Sequence, residues 1–150
     1  MRIFGAAILA ASCFVVTLPA VSQSPAEDAI KYRQGVFQGF KWHFGPLVAM
    51  VKGELDYDQV TALHHANAIA ALSKTIHEGF AAGSGPGENT AALAAVWEKP
   101  SEFKAATETA IAGAAALVAS VETGEAQSLG AGVGGMGQAC KGCHDNFRKK

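Results

Sequence analysis

The chain has 150 residues, with 12 Lys and Arg against 13 Asp and Glu and a formal net charge of −1. A balance so close to neutral, with no basic stripe, gives no electrostatic reason to expect a nucleic-acid partner. At this length, and with 49% hydrophobic residues, one domain with a substantial core is expected.

Met1 and Arg2 open onto an apolar run from Ile3 to Ala20, and no charged residue occurs between Arg2 and Glu27. Small residues at Ala20 and Ser22 close the run. The pattern predicts a secretory signal peptide over residues 1–22, cleaved before Gln23, and export to the periplasm. The run is near the length that spans a bilayer, so an uncleaved anchor is the alternative. With cleavage no membrane contact remains. Cys13 leaves with the leader, and loss of Arg2 makes the balance of the mature chain, 23–150, −2.

Ser24-Pro25-Ala26-Glu27 joins a serine cap, a proline at the first helical position and a glutamate three residues after the cap, so a first helix starts at Pro25. Ile30, Arg33, Phe37, Phe40, Phe44, Leu47 and Val51 fall on a heptad seam interrupted by one charge, Arg33. That charge needs a partner: an anionic group in the core, or Glu27 or Asp28 at the bundle edge. Pro46 predicts a kink or a loose last turn, and Gly53 the end. Asp56 and Gln59 repeat the capping spacing, which predicts a second helix from Tyr57 to Phe80. Its formal charges are only Asp58, Lys74 and Glu78. A helix apolar on two faces buries both, so one face suits the bundle and the other a homodimer contact at Ala66 and Ala70, unless the alanines tolerate water.

Ala81 to Thr90 contains Gly83, Gly85, Pro86 and Gly87 and is expected to be a loop. Trp97 is expected to plug one end of the core. Ser101 is expected to cap a third helix, with a stripe of Phe103, Ala106, Ala110, Ala114, Leu117 and Val121, broken at Thr123-Gly124. A fourth helix from Glu125 carries Ala126, Leu129, Val133, Met136, Cys140, Cys143 and Phe147 on one seam. Gly130, Gly132, Gly134, Gly135 and Gly137 lie inside it, and each costs about 1 kcal/mol relative to alanine. Either a close neighbour compensates, or the stretch is a frayed loop. Four amphipathic helices on short connections predict an all-α, antiparallel four-helix bundle.

Cys140-Lys141-Gly142-Cys143-His144 has the spacing C-x-x-C-H, the attachment signature of a c-type haem. Each thiol adds across one vinyl group of the porphyrin, and the histidine offers a nitrogen to iron. On a helix these residues are i, i+3 and i+4, so all three project from one face. A structural zinc site needs four ligands, and only one Cys pair exists; His64 and His65 are adjacent and are expected to point to different faces, with His77 further along. A thioredoxin-like pair would want a preceding strand, for which no pattern exists, and a plain disulfide is the remaining alternative. One covalent haem c per chain is therefore expected, held by Cys140 and Cys143 with His144 on the iron.

The haem motif in the last helix, with Lys31-Tyr32-Arg33-Gln34, Val51-Lys52-Gly53, Trp97 with Phe103, Asp145 and Arg148, resembles the class II cytochromes c and within them the cytochrome c′ family. The resemblance runs over essentially the whole mature chain. It implies that Arg33 and Gln34 contact the haem, Arg33 near a propionate, and that Arg148 lies beside the proximal histidine. Phe37 matches the position covering the distal face of the iron, where low-spin relatives carry methionine. It further implies a homodimer through the first and second helices, and a five-coordinate high-spin iron that binds nitric oxide or carbon monoxide and takes part in nitric oxide detoxification. The alternative is a low-spin electron carrier with a periplasmic redox partner. No polar distal pair suited to a peroxidase is present, so an enzyme is the weaker expectation.

Overall fold

The computed structural model describes residues 24–87 and 89–150, so the leader expected over 1–22 lies outside the described residues. Four long helices, α1 (Pro25–Val51), α2 (Gln59–Ser73), α4 (Pro100–Glu122) and α5 (Ala126–Phe147), form the expected antiparallel bundle. A 3₁₀ turn, Ile76–Gly79, follows α2, and a one-turn helix α3 (Ala95–Glu98) precedes α4. None of the described helices is long and apolar enough to cross a membrane.

The start of α1 follows the sequence closely. Ser24 Oγ accepts from Glu27 N at 3.3 Å, and Ser24 N donates to the Glu27 carboxylate at 3.1 Å, a complete capping box. The helix runs through Pro46, and its last turn is loose: Glu54 N and Leu55 N both donate to Ala49 O. Gly53, at φ 72°, then turns the chain as only glycine does freely.

Elsewhere the boundaries move. Asp58 caps α2 in place of Asp56, accepting from Thr61 N at 2.8 Å. This frees the Gln59 amide to donate to Val121 O at 3.0 Å, capping the end of α4 from across the bundle. The second helix stops at Ser73 instead of Phe80. Ser73 Oγ and Thr75 Oγ1 donate back to the carbonyls of Ala70 and Leu72, which competes with helix continuation. At α4 the cap is Lys99 with no side-chain bond, and Ser101 lies inside the first turn, because Pro100 already supplies the helical φ at the first position. The fourth helix is unbroken across all five glycines.

The α4 stripe is buried as expected, with Thr107 added to it and Ala106 only half-buried. On α1 the seam is shifted. Val36 is buried, whereas Phe37 and Val51 are 39% and 44% exposed. Ala66 is fully buried between helices, so it belongs to the core and not to a dimer face. One core cluster fills the middle of the bundle around Leu47, Ile69, Leu117 and Met136. A second, aromatic, closes the end that carries Cys143: Phe103 stacks edge-on with Phe80 at 4.8 Å and with Phe147 at 5.3 Å. Trp97 covers this cluster half-buried, its Nε1 donating to Phe80 O and Ala81 O, both at 3.3 Å.

Candidate haem site

Cys140 and Cys143 sit on the inward side of α5, half-buried and not bonded to each other. Cys140 packs on the central core and Cys143 on the aromatic one. Burial pushes both thiols above their ordinary values, and Cys140 adds to the shift at Cys143. Both are therefore held as neutral S–H groups.

At 3.6 residues per turn, His144 lies roughly 60° round from the line of Leu129, Met136 and Phe147, on the flank turned away from α4. The opposite flank forms a groove of about 560 Å³ with α4, lined by small residues such as Gly113, Ala116, Gly132 and Ala139, and reaching Cys143 but neither Cys140 nor His144. His144 is exposed, and its imidazole is pushed below its ordinary value by burial and by the Arg148 cation, with Asp145 opposing. A free lone pair is thus available at neutral pH. Arg148 itself ends α5, its N–H donating to His144 O at 3.2 Å. The tail beyond is tied down where Leu93 N donates to Phe147 O and Lys149 N to Ala91 O.

α1 and α5 touch far less than the other neighbouring helices. Phe37 on α1 stacks on Phe40 at 6.0 Å and meets Phe80 edge-on at 6.4 Å, yet keeps much of its ring uncovered. A large flat apolar group tethered to Cys140 and Cys143 fits this aromatic, loosely packed side of the bundle, with a neutral imidazole beside it.

Arg33 is placed differently from either sequence expectation of an edge pair. It is 3% exposed and, among the described residues, bonds no carboxylate. Its Nη1 donates to Gly79 O and Ser84 Oγ, each at 2.9 Å, and its Nη2 to Ser84 O at 2.9 Å and Thr90 Oγ1 at 2.7 Å. The guanidinium also lies 5.0 Å from the Phe80 ring centre. Arg33 therefore ties the 81–90 loop to α1, leaving only Nε for any other partner. Gly79 makes this approach possible, since a Cβ there would fall 2.4 Å from Arg33 Cβ. Gln34, exposed, donates to Asn89 O at 2.7 Å.

Two other conceivable iron ligands are engaged elsewhere. His77 bonds Thr107 Oγ1, and Met136 is buried in the central core. His43 is half-buried against His65 at 3.0 Å between Nδ1 atoms, and the rings of His64 and His65 converge at 5.2 Å instead of diverging.

The family profile described as cytochrome c′ matches residues 28–148. The chain belongs to the cytochrome c′ family. A cytochrome c′ from Rubrivivax gelatinosus is 39% identical over 123 residues, which cover 82% of this chain and 95% of that protein. The crystal structure of cytochrome c′ from that organism superposes with a TM-score of 0.78 at 38% identity, covering 83% of this chain and 97% of the other. A nitric oxide complex of a cytochrome c prime variant from Alcaligenes xylosoxidans superposes at 0.77 with 31% identity, covering 83% and 97%. Like the rest of the cytochrome c′ family, the chain carries covalent haem c, and its two cysteines near the C-terminus stand ready for it.

Proposed function

We propose that this cytochrome c′ is exported to the periplasm and binds nitric oxide, and carbon monoxide, at a five-coordinate high-spin iron. In this reading Cys140 and Cys143 hold the haem covalently and His144 is the axial ligand. The iron supplies one open coordination position for a small diatomic ligand. Phe37, with Phe40 beside it, keeps water and polar groups from that position. Arg148 keeps His144 neutral and oriented, and Gln34 and Arg33 Nε border the haem edge. Uptake of nitric oxide contributes to its removal.

The observation that carries this reading is the apolar, incompletely covered Phe37 side of α1, with His77 and Met136 engaged elsewhere. Ferric and ferrous absorption spectra test it. High-spin spectra, changed by nitric oxide, are expected. Sharp low-spin bands that disappear when one α2 histidine is replaced would hand the chain to electron transfer.

The same reading includes a homodimer through α1 and α2. Trp42 and Val60, 75% and 78% exposed, support that face, in place of the buried Ala66. Sedimentation at micromolar concentration should give a dimer, and Trp42→Lys a monomer. A native monomer would remove this part of the proposal.

A further inference from the structure

Three of the chain's five histidines gather in a cluster that includes none of Cys140, Cys143 and His144. His43 comes from α1, and His64 and His65 are consecutive on α2. One nitrogen from each ring lies within 4.8 Å of one from each of the others. The His43 and His65 Nδ1 atoms are 3.0 Å apart. Ring centroids stand 5.7 Å apart for His43 and His64, 5.3 Å for His43 and His65, and 5.2 Å for His64 and His65. The ring planes cross at 65°, 56° and 65°. The rings thus form a nearly equilateral tripod, not a stack.

A hydrogen bond between His43 and His65 accounts for two of these rings. It leaves the third unexplained. Neighbouring residues on a helix diverge by about 100°, so two imidazoles from adjacent positions converge only by bending towards a common point. That point lies against α1, where His43 meets them. As cations the three would repel one another, and His65 is indeed pushed below its ordinary value by burial and by the other two. Three imidazoles with converging nitrogens are a donor set in search of an acceptor.

The dimensions name the acceptor. A metal bound tetrahedrally by three imidazole nitrogens at about 2.0–2.1 Å holds them roughly 3.3 Å apart and the ring centres roughly 5 Å apart. The observed triangle of rings matches. Nitrogen donors without a carboxylate disfavour calcium and magnesium and favour zinc, copper and nickel.

We propose that His43, His64 and His65 form a binding site for a divalent cation of the zinc class, clamping α1 to α2. The exposed side of His64 leaves the fourth position to water. This site shares no residue with the haem site, so either proposal can fail without the other.

Zinc is the probe. The haem-loaded protein, first freed of metal with a chelator, is dialysed against zinc chloride, and zinc is counted by elemental analysis alongside the haem spectrum. One zinc per chain is expected at micromolar concentration, with a zinc-dependent rise in the melting temperature and no change in the haem bands. His64→Ala, at an exposed position, should fold normally and bind zinc roughly 100-fold more weakly. His77→Ala, outside the tripod, should bind as the native chain does. The proposal is overturned if no zinc is retained, if His64→Ala retains as much as the native chain, or if the zinc that binds perturbs the haem spectrum.

Discussion

The glycines of α5 lead to a sharp prediction, because the structure separates those that a neighbour requires from those that none requires. A Cβ built on Gly132 would lie 2.1 Å from Ser120 Oγ, 2.9 Å from Ser120 Cβ and 3.2 Å from Leu117 Cα. The serine could rotate, giving up its 2.7 Å bond to Leu117 O, but the Leu117 backbone could move only by separating α4 from α5. At Gly134 a Cβ meets nothing within 4 Å. Alanine gains about 0.8–1.0 kcal/mol over glycine inside a helix, so Gly134→Ala should stabilise by about that amount. The same gain at Gly132 is set against an overpacking cost of about 1–3 kcal/mol, leaving a net loss of up to about 2 kcal/mol. The two variants should therefore differ by about 1–3 kcal/mol. At roughly 4 °C per kcal/mol for a domain of this size, they should melt some 4–12 °C apart. Urea and thermal unfolding of the haem-loaded proteins measure this directly, since the covalent cofactor stays on the chain. A Gly132→Ala protein stabilised as much as Gly134→Ala would refute the close approach of α4 and α5. A destabilised Gly134→Ala would mean that this flank is not open.

Arg33→Met should cost about 3 kcal/mol or more in urea unfolding, because it leaves buried acceptors at Gly79, Ser84 and Thr90 without their donor, and it should open the 81–90 loop to protease. An unchanged midpoint would show that the loop holds itself. Phe37→Ala should speed carbon monoxide binding to the ferrous protein and tighten it; unchanged rates in stopped flow would place ligand entry elsewhere. Asp58 has a carboxyl held below its ordinary value by the Thr61 hydroxyl and backbone N–H. Its contribution is present above the unfolded value of about 3.9 and is lost as pH falls through the lower folded value. Asp58→Ala should accordingly be less stable than the native chain at neutral pH, and the gap should close in acid. A gap undiminished in acid would exclude the carboxylate as its source.

Residues acting within one or two helical turns were legible without the fold. The capping box at Ser24 spans three residues, the stops at Gly53 and Gly124 depend on their own φ, and the buried lines of α4 and α5 follow from the helical period. The C-x-x-C-H spacing belongs to the same class, since its chemistry is set by one turn of helix. The length of α2 and the place of its cap were not legible. Two capping aspartates compete within three residues, and hydroxyls that back-bond to carbonyls look in sequence like ordinary helix positions.

Arg33 and the histidines mark the limit most clearly. The partners of Arg33 lie 46 to 57 residues along the chain, at the end of the 3₁₀ turn and in a loop whose composition announces only that it is a loop. His43 lies 22 residues from His65, and the divergence of His64 and His65 on an isolated helix conceals a convergence that exists only when α1 is docked beside α2. The sequence alone determined four helices, the apolar faces of α4 and α5 and a covalent haem motif, because each is encoded by spacings of three, four or seven residues. Which buried cation holds which loop, and which imidazoles meet, was decided by packing, because such contacts join positions that nothing but the folded bundle brings together.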